Sequence, residues 1–340
     1  MDDRKYFILG AVLRSYIESA EPIGSRTLQR DFDMDISAAT IRNEMSDLEH
    51  LGYLIKAHTS SGRIPSSRAY RWYVDEIQEK GLPFPPIQAL PTRSLLDQSS
   101  ELDYVLDNAL DILSETTGYL AVALIPGRTD DILRKIELIR VSDREIVLVM
   151  VYNTRVIRTD LIYLKSAYSP DRVKRTAAIL QEILEDRGLV EIRDFLQSHF
   201  FSGPKNQANL LSELLPVILK QVTGNLVPQI RFKGWGRLYE AREFSSWDRT
   251  ADFIKELEES EDLIGLLERE TDPKSLEVYI GEESDIELLK ESSLVFAPYH
   301  VKSNLIGKIG VIGPTRMQYQ KVLFDVGMMG KYIDSLVDRL

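Results

Sequence analysis

The chain has 340 residues, of which 44% are hydrophobic and 28% charged, the proportions of a folded globular protein rather than of a disordered or membrane chain. Its formal net charge of -11 argues against a protein that coats nucleic acid by charge alone, because sequence-independent affinity comes from neutralised phosphates. It has no cysteine, which excludes disulfides, thiolate zinc sites and iron–sulfur clusters, and its four histidines (His50, His58, His199, His300) are scattered, so neither a metal nor a cofactor is expected.

The opening segment MDDRKYFILG has acidic residues before a short apolar stretch, unlike a signal peptide, and no apolar run reaches the roughly 20 residues of a membrane span. A cytoplasmic protein with no membrane partner is expected. Residues 3–19 place Tyr6, Leu9, Leu13, Tyr16 and Ile17 at three- and four-residue spacings, an amphipathic helix that stops at Ala20-Glu21-Pro22. A short second helix follows Gly24-Ser25, and Asp31 to Asp35 form a polar turn. Ser37 is a good N-cap for a third helix whose Ile41, Met45 and Leu48 repeat on one face, with Gly52 as its stop.

Residues 53–58 are β-prone, Thr59 to Gly62 have turn chemistry, and Arg63-Ile64-Pro65 returns as a short edge strand. Ser66 then caps a fourth helix to about Lys80. Four prolines between Gly81 and Pro91 mark a domain boundary. Beyond it come a helix over 100–116 and strands over 119–125, 132–141, 145–152 and 156–164. Helical periodicity takes over after Ser169-Pro170, with helices near 191–200, 210–222 and 248–269. Strand character returns only after Pro273, and a long helix covers 319–340.

The fold class that follows is α+β and multidomain. A winged helix-turn-helix occupies 1–80 and a Pro-rich linker 81–96. An α+β domain is split into 97–169 and 273–340 by a mainly helical insertion at 170–272. No internal repeat is visible.

Three helices and a hairpin in this order point to double-stranded DNA. In such a motif the second helix of the pair enters the major groove and the N-terminus of the first meets phosphate, here Ser25 and Arg26. With Ile41, Met45 and Leu48 inward, steps of 100° put Ala39, Asn43 and Ser46 outward, with Thr40 and Arg42 flanking them and Ser37 at the cap. Arginine pairs bidentately with guanine and asparagine with adenine, while alanine permits close approach. The hairpin adds Lys56, His58, Thr59, Ser60 and Arg63, and the next helix adds Arg68 and Arg71. Across residues 36–74 five basic residues outnumber three acidic ones, in a chain that is otherwise acidic. For the insertion, Phe195, Phe200, Trp235 and Trp247 are the aromatic residues available to anchor a partner copy.

Three blocks in this region, Glu21 to Leu28, Ser37 to Met45 and His58 to Pro65, together with Gly310-Val311-Ile312-Gly313-Pro314-Thr315-Arg316-Met317 near the other end, resemble the signature blocks of the heat-inducible repressor family HrcA. The chain departs from that pattern at Ser67-Arg68 and at Ala69-Tyr70-Arg71, and residues 170–272 match mainly in length and helical character. The resemblance implies a winged helix, a GAF-like domain and an inserted dimerisation domain. It also implies a homodimer that represses chaperone operons through an inverted-repeat operator, releases it under heat stress and is maintained by a GroEL-type chaperonin.

Two other readings remain open at this level. An enzyme is disfavoured because the chain has no Walker loop, no Gly-x-Ser-x-Gly and no His-Glu-x-x-His; Gly307, Gly310 and Gly313 read as strand packing. A ligand-sensing regulator, with a small molecule in the GAF-like domain, is the stronger alternative.

Overall fold

Asp2 opens the first helix, α1 (Asp3–Ser19), by accepting a hydrogen bond from the Lys5 amide at 2.9 Å, and Ala20 closes it in a left-handed conformation. The computed structural model describes residues 2–32, 34–57, 62–80, 102–153, 157–199, 209–240, 247–269, 275–301 and 305–337; the expected linker at 81–96 lies outside them. The chain divides into two compact units, one of residues 1–124 and 230–340 and one of residues 125–229.

In the first unit, α1 buries Ile8, Leu9, Val12 and Leu13 against α2 (Ser25–Asp31) and α3 (Ala38–His50). The Ser37 hydroxyl caps α3 by accepting from the Thr40 amide at 3.1 Å, a bond that contributes about 1 kcal/mol to helix stability. Gly52, at φ +79°, ends the helix in a conformation that any side chain would strain. Strands β1 (Leu54–Lys56) and β2 (Arg63–Pro65) pair antiparallel, with Lys56 opposite Arg63. Ile23 and Arg63 exchange two backbone hydrogen bonds of 2.9 Å, which fastens the hairpin to the segment entering α2. Helix α4 (Ser67–Lys80) follows and buries Tyr70, Val74 and Ile77.

The remainder of this unit is built on a five-stranded sheet, ordered β7-β3-β10-β9-β8. Its strands are β3 (Leu120–Ile125), β7 (Gln229–Lys233), β8 (Glu277–Ile280), β9 (Ser292–Val301) and β10 (Leu305–Pro314). Helices α5 (Leu102–Thr117) and α11 (Tyr319–Val337) pack together against it. Helices α9 (Trp247–Glu258) and α10 (Glu261–Glu268) bring Phe253, Leu257, Leu263 and Leu266 onto Leu120, Val122, Phe296 and Ile312 of the sheet. Each such side chain contributes about 1.5–3 kcal/mol on burial. Gly310 is fixed by close approach, since a Cβ there would stand 1.9 Å from the Val295 carbonyl oxygen. Lys308 and Glu277 form a buried ion pair at 2.6 Å, and Lys308 also donates to the Arg269 carbonyl at 3.0 Å. Paired and hydrogen-bonded in this way, the two charges are tolerated in the interior.

The second unit carries the antiparallel strands β4 (Leu133–Arg140), β5 (Glu145–Tyr152) and β6 (Ile157–Tyr163), ordered β4-β5-β6. Helices α6 (Pro170–Leu184), α7 (Leu189–His199) and α8 (Leu210–Leu226) complete it. Ile136, Ile146, Leu148, Met150 and Ile162 share a core with Leu180, Leu184, Ile192, Leu214 and Ile218. The opposite sheet face aligns Ile139, Val147 and Leu161 across the three strands, flanked by Val149, Val151, Ile157 and Tyr163. Ile139, Ile157, Leu161 and Tyr163 are exposed there.

Three expectations are corrected. The strands before and after the insertion do not all form one sheet, because only β3 joins β8, β9 and β10, and β4 to β6 pair among themselves. The compact unit accordingly covers 125–229 instead of 170–272. The physical reason is burial: β3 is covered on both faces, whereas β4 and β6 alternate between one packed and one exposed face. Strand character also returns well before Pro273, at β7, where Ile230 and Phe232 alternate with Gln229, Arg231 and Lys233. Finally, the single helix expected at 248–269 is two helices, divided where the Ser260 hydroxyl caps α10 by accepting from the Leu263 amide at 3.1 Å.

Candidate nucleic-acid interface

The third helix presents its faces as the spacing requires. Ile41, Met45 and Leu48 are buried, Ala39, Arg42 and Asn43 are exposed, and Thr40 and Ser46 are half-buried beside them. Helix α2 has Ser25 in its first turn, buried, and Arg26 next to it, exposed. Together with the hairpin these helices enclose a concave surface of about 600 Å³, lined by Gly24, Ser25, Arg26, Arg42, Met45, Lys56 and Arg63. Four of those seven residues are cationic. A concavity with that charge, between a helix of exposed hydrogen-bonding side chains and a short hairpin, suits the phosphate backbone and groove edge of a duplex.

Other candidates have partners inside the chain. Ser37 is engaged in capping α3, and its hydroxyl lies 2.9 Å from that of Thr40. The Arg68 guanidinium donates to the Leu51 carbonyl at 2.8 Å and stacks 4.7 Å from the centre of the Tyr53 ring, so it closes the C-terminal end of α3. Arg71 donates from Nε to Glu283 Oε1 at 2.9 Å and from Nη2 to the Val278 carbonyl at 2.6 Å. The Glu283 carboxylate beside it raises its pKa despite partial burial. Neither arginine lines the concavity. His58, Thr59 and Ser60 lie outside the described residues.

Glu49 is a member of this site that sequence reasoning did not single out. Its carboxylate accepts from Arg63 Nε at 2.7 Å and lies 3.4 Å from Lys56 Nζ. Burial pushes the Glu49 pKa up, but the charges and hydrogen bonds of Arg63 and Lys56 outweigh it, and the net shift is downward. A signal existed: Glu49 is one turn beyond Met45 on the same helix, but its partners come from a hairpin whose register the sequence does not display.

Among the aromatic residues of the insertion, Phe195 is half-buried against the core of the second unit, with the Arg187 guanidinium 4.7 Å from its ring centre. Trp235 belongs to the first unit and packs on Phe232 at 4.8 Å between ring centres. Phe200 lies outside the described residues, as does the Trp247 side chain. Among the described residues no group of His, Asp and Glu is arranged to hold a metal ion, and no helix is long and apolar enough to cross a membrane.

Comparison with known proteins decides the relationship. The HrcA protein C terminal domain family matches residues 103–323. The heat-inducible transcription repressor HrcA of Thermoanaerobacter pseudethanolicus is 32% identical over 340 residues, covering 100% of this chain and 98% of that protein. Its counterpart from Moorella thermoacetica is 32% identical over 345 residues, covering 100% and 99%. The chain belongs to the HrcA family. HrcA relatives such as these match along the whole length, so the similarity includes α1 to α4 as well as the C-terminal domain. A crystal structure of a hypothetical protein shares the fold at a TM-score of 0.74, with 20% identity and coverage of 100% of this chain and 99% of that one.

Proposed function

We propose that this chain is a heat-inducible transcription repressor of chaperone operons, binding an inverted-repeat operator as a homodimer and releasing it under heat stress. The reading rests on the relatives, which are repressors and not enzymes, and on one observation: α3 exposes Ala39, Arg42 and Asn43 beside a concavity lined by Arg26, Lys56 and Arg63. Helices α1 to α3 and the β1–β2 hairpin act as a winged helix-turn-helix. Arg42 and Asn43 read base edges, Ala39, Thr40 and Ser46 shape the approach, and Ser25, Arg26, Lys56 and Arg63 meet phosphates. His58, Thr59 and Ser60 at the wing tip complete the contact.

The five-stranded domain is GAF-like, and the unit of residues 125–229 dimerises. The apolar outer face of β4, β5 and β6 is the surface that a second copy covers, because isolated apolar residues are ordinary on a surface whereas a contiguous row across three strands is not. By family resemblance, a GroEL-type chaperonin maintains the active form. The protein works in the cytoplasm and is associated with the nucleoid when bound to its operator.

Footprinting of the full chain on DNA upstream of the organism's chaperone operons tests the reading. A protected inverted repeat is expected. Protection of none of these upstream regions at concentrations where the dimer is populated would overturn it.

A further inference from the structure

The concavity holds one acid among its cations, and its placement is specific. One Glu49 oxygen accepts from Arg63 Nε at 2.7 Å and the other lies 3.4 Å from Lys56 Nζ. Arg63 and Lys56 are cross-strand partners, so a single carboxylate at the end of α3 ties to both strands of the hairpin. The Arg63 and Glu49 side chains are only 15% and 23% exposed, which shields their bond from solvent, whereas Lys56 is 68% exposed.

Two physical effects follow. A guanidinium has five N–H donors in one rigid plane, and fixing Nε on Glu49 sets that plane while its other donors stay available to a ligand. In addition, the negative charge subtracts from the positive field that every duplex meets, whatever its sequence. The first effect favours the operator, where geometry matters. The second lowers affinity for all DNA alike.

We propose that Glu49 is the specificity-setting residue of the DNA interface: its carboxylate orients Arg63 and, by opposing the charges of Arg63 and Lys56, holds down affinity for non-operator DNA. This rests on the DNA-binding reading above. Glu49 acts through other side chains, so it is a positioning residue.

The test uses the full chain, the inverted repeat that it protects, and a shuffled duplex of equal length and composition. Glu49→Gln keeps an acceptor for Arg63 and removes the charge. Affinity for the shuffled duplex should rise about three- to tenfold, the effect of one screened charge at groove distance. The logarithmic salt slope should steepen by up to about one unit. The ratio of operator to shuffled affinity should fall. Glu49→Asp keeps the charge on a shorter arm, so the salt slope should stay at the wild-type value while operator preference drops. A folded Glu49→Gln variant with the wild-type slope and ratio would overturn the proposal and leave the DNA-binding reading intact. Should that variant melt below the assay temperature, Glu49→Asp decides alone, and an unchanged operator preference overturns the proposal. A wild-type chain that binds neither duplex removes the DNA-binding reading itself, and this role with it.

Discussion

Arg71 on α4 grips Glu283 in the turn after β8: Nε donates to Oε1 at 2.9 Å, and Nη2 reaches both the other carboxylate oxygen and the Val278 carbonyl. Nearby, the Tyr70 ring lies 5.9 Å from that of Tyr319, whose hydroxyl donates to the Thr315 carbonyl at 2.7 Å. These contacts join the last helix before the expected linker to the five-stranded sheet and its terminal helix. Arg71→Ala should therefore act on stability. Loss of charge-assisted hydrogen bonds in a half-buried setting costs about 1–2 kcal/mol and lowers Tm by a few degrees. Calorimetry checks the first effect. A salt titration on operator DNA checks that the slope is unchanged, and a slope reduced by about one unit would instead assign Arg71 to phosphate.

The recognition face makes a different demand. Arg42 and Asn43 are exposed on α3, away from its buried Ile41, Met45 and Leu48. Replacing either by alanine should leave Tm within about 0.5 kcal/mol of wild-type stability, as for other surface changes. Specific binding should weaken by roughly 1–3 kcal/mol, with relaxed base preference at one position of each half-site. Affinity measured across a panel of single-base operator variants reads this directly.

The outer face of the three-stranded sheet is open to a charge-insertion experiment. Leu161→Lys and Ile139→Lys place cations at the two ends of the row Ile139, Val147 and Leu161 without touching the packed face. Sedimentation at micromolar concentration should show a monomer where the parent chain is a dimer. Operator affinity should fall with it, because two tethered reading heads gain the effective concentration of a bivalent complex. A variant that stays dimeric would move the interface elsewhere.

Dimeric reading also predicts a spacing rule. Adding about 5 base pairs between half-sites turns one of them to the far side of the duplex, while adding about 10 restores its face. The intact chain should bind native spacing best and plus 5 worst. Equal affinity for native, plus 5 and plus 10 operators would favour a monomer reading one half-site.

Asp325 in α11 gives a pH dependence with a definite sign. It is 7% exposed, its Oδ2 atom has no hydrogen-bond partner, and Lys321 stands 3.8 Å away. Burial raises its pKa, and the opposing effect of Lys321 is smaller. A carboxyl with a raised folded pKa contributes stability below its unfolded pKa and loses it as the pH climbs through the folded value. Asp325 is thus a destabilising charge at neutral pH. Asp325→Asn should raise stability there on the order of 1 kcal/mol, with the gain shrinking towards acid pH. Urea melts of both proteins at neutral and acidic pH test this, and equal midpoints at neutral pH would contradict it.

What the sequence determined by itself was local. Apolar spacing and caps fixed α1, α3, α4 and α11 closely, because Ile41, Met45 and Leu48 on one helical face, Ser37 before it and Gly52 after it are decided within a few residues of chain. The outward set Ala39, Arg42 and Asn43 follows from the same periodicity. The family was legible too, in motif blocks distributed from Glu21 to Met317. Tertiary structure alone decided what depends on a distant partner. Strands β3 and β4 look alike as apolar runs, and only pairing shows that β3 lies beside β10 while β4 lies beside β5. Arg63, Arg68 and Arg71 are equivalent cations in sequence, yet Arg63 lines the concavity, Arg68 closes α3 and Arg71 holds Glu283, 212 residues away. Glu49 reads as an ordinary helix surface acid until the hairpin brings Lys56 and Arg63 to it. The division has one cause: helix periodicity and capping act over a few residues, whereas strand pairing and ion pairing are chosen by whichever group the folded chain delivers within about 4 Å.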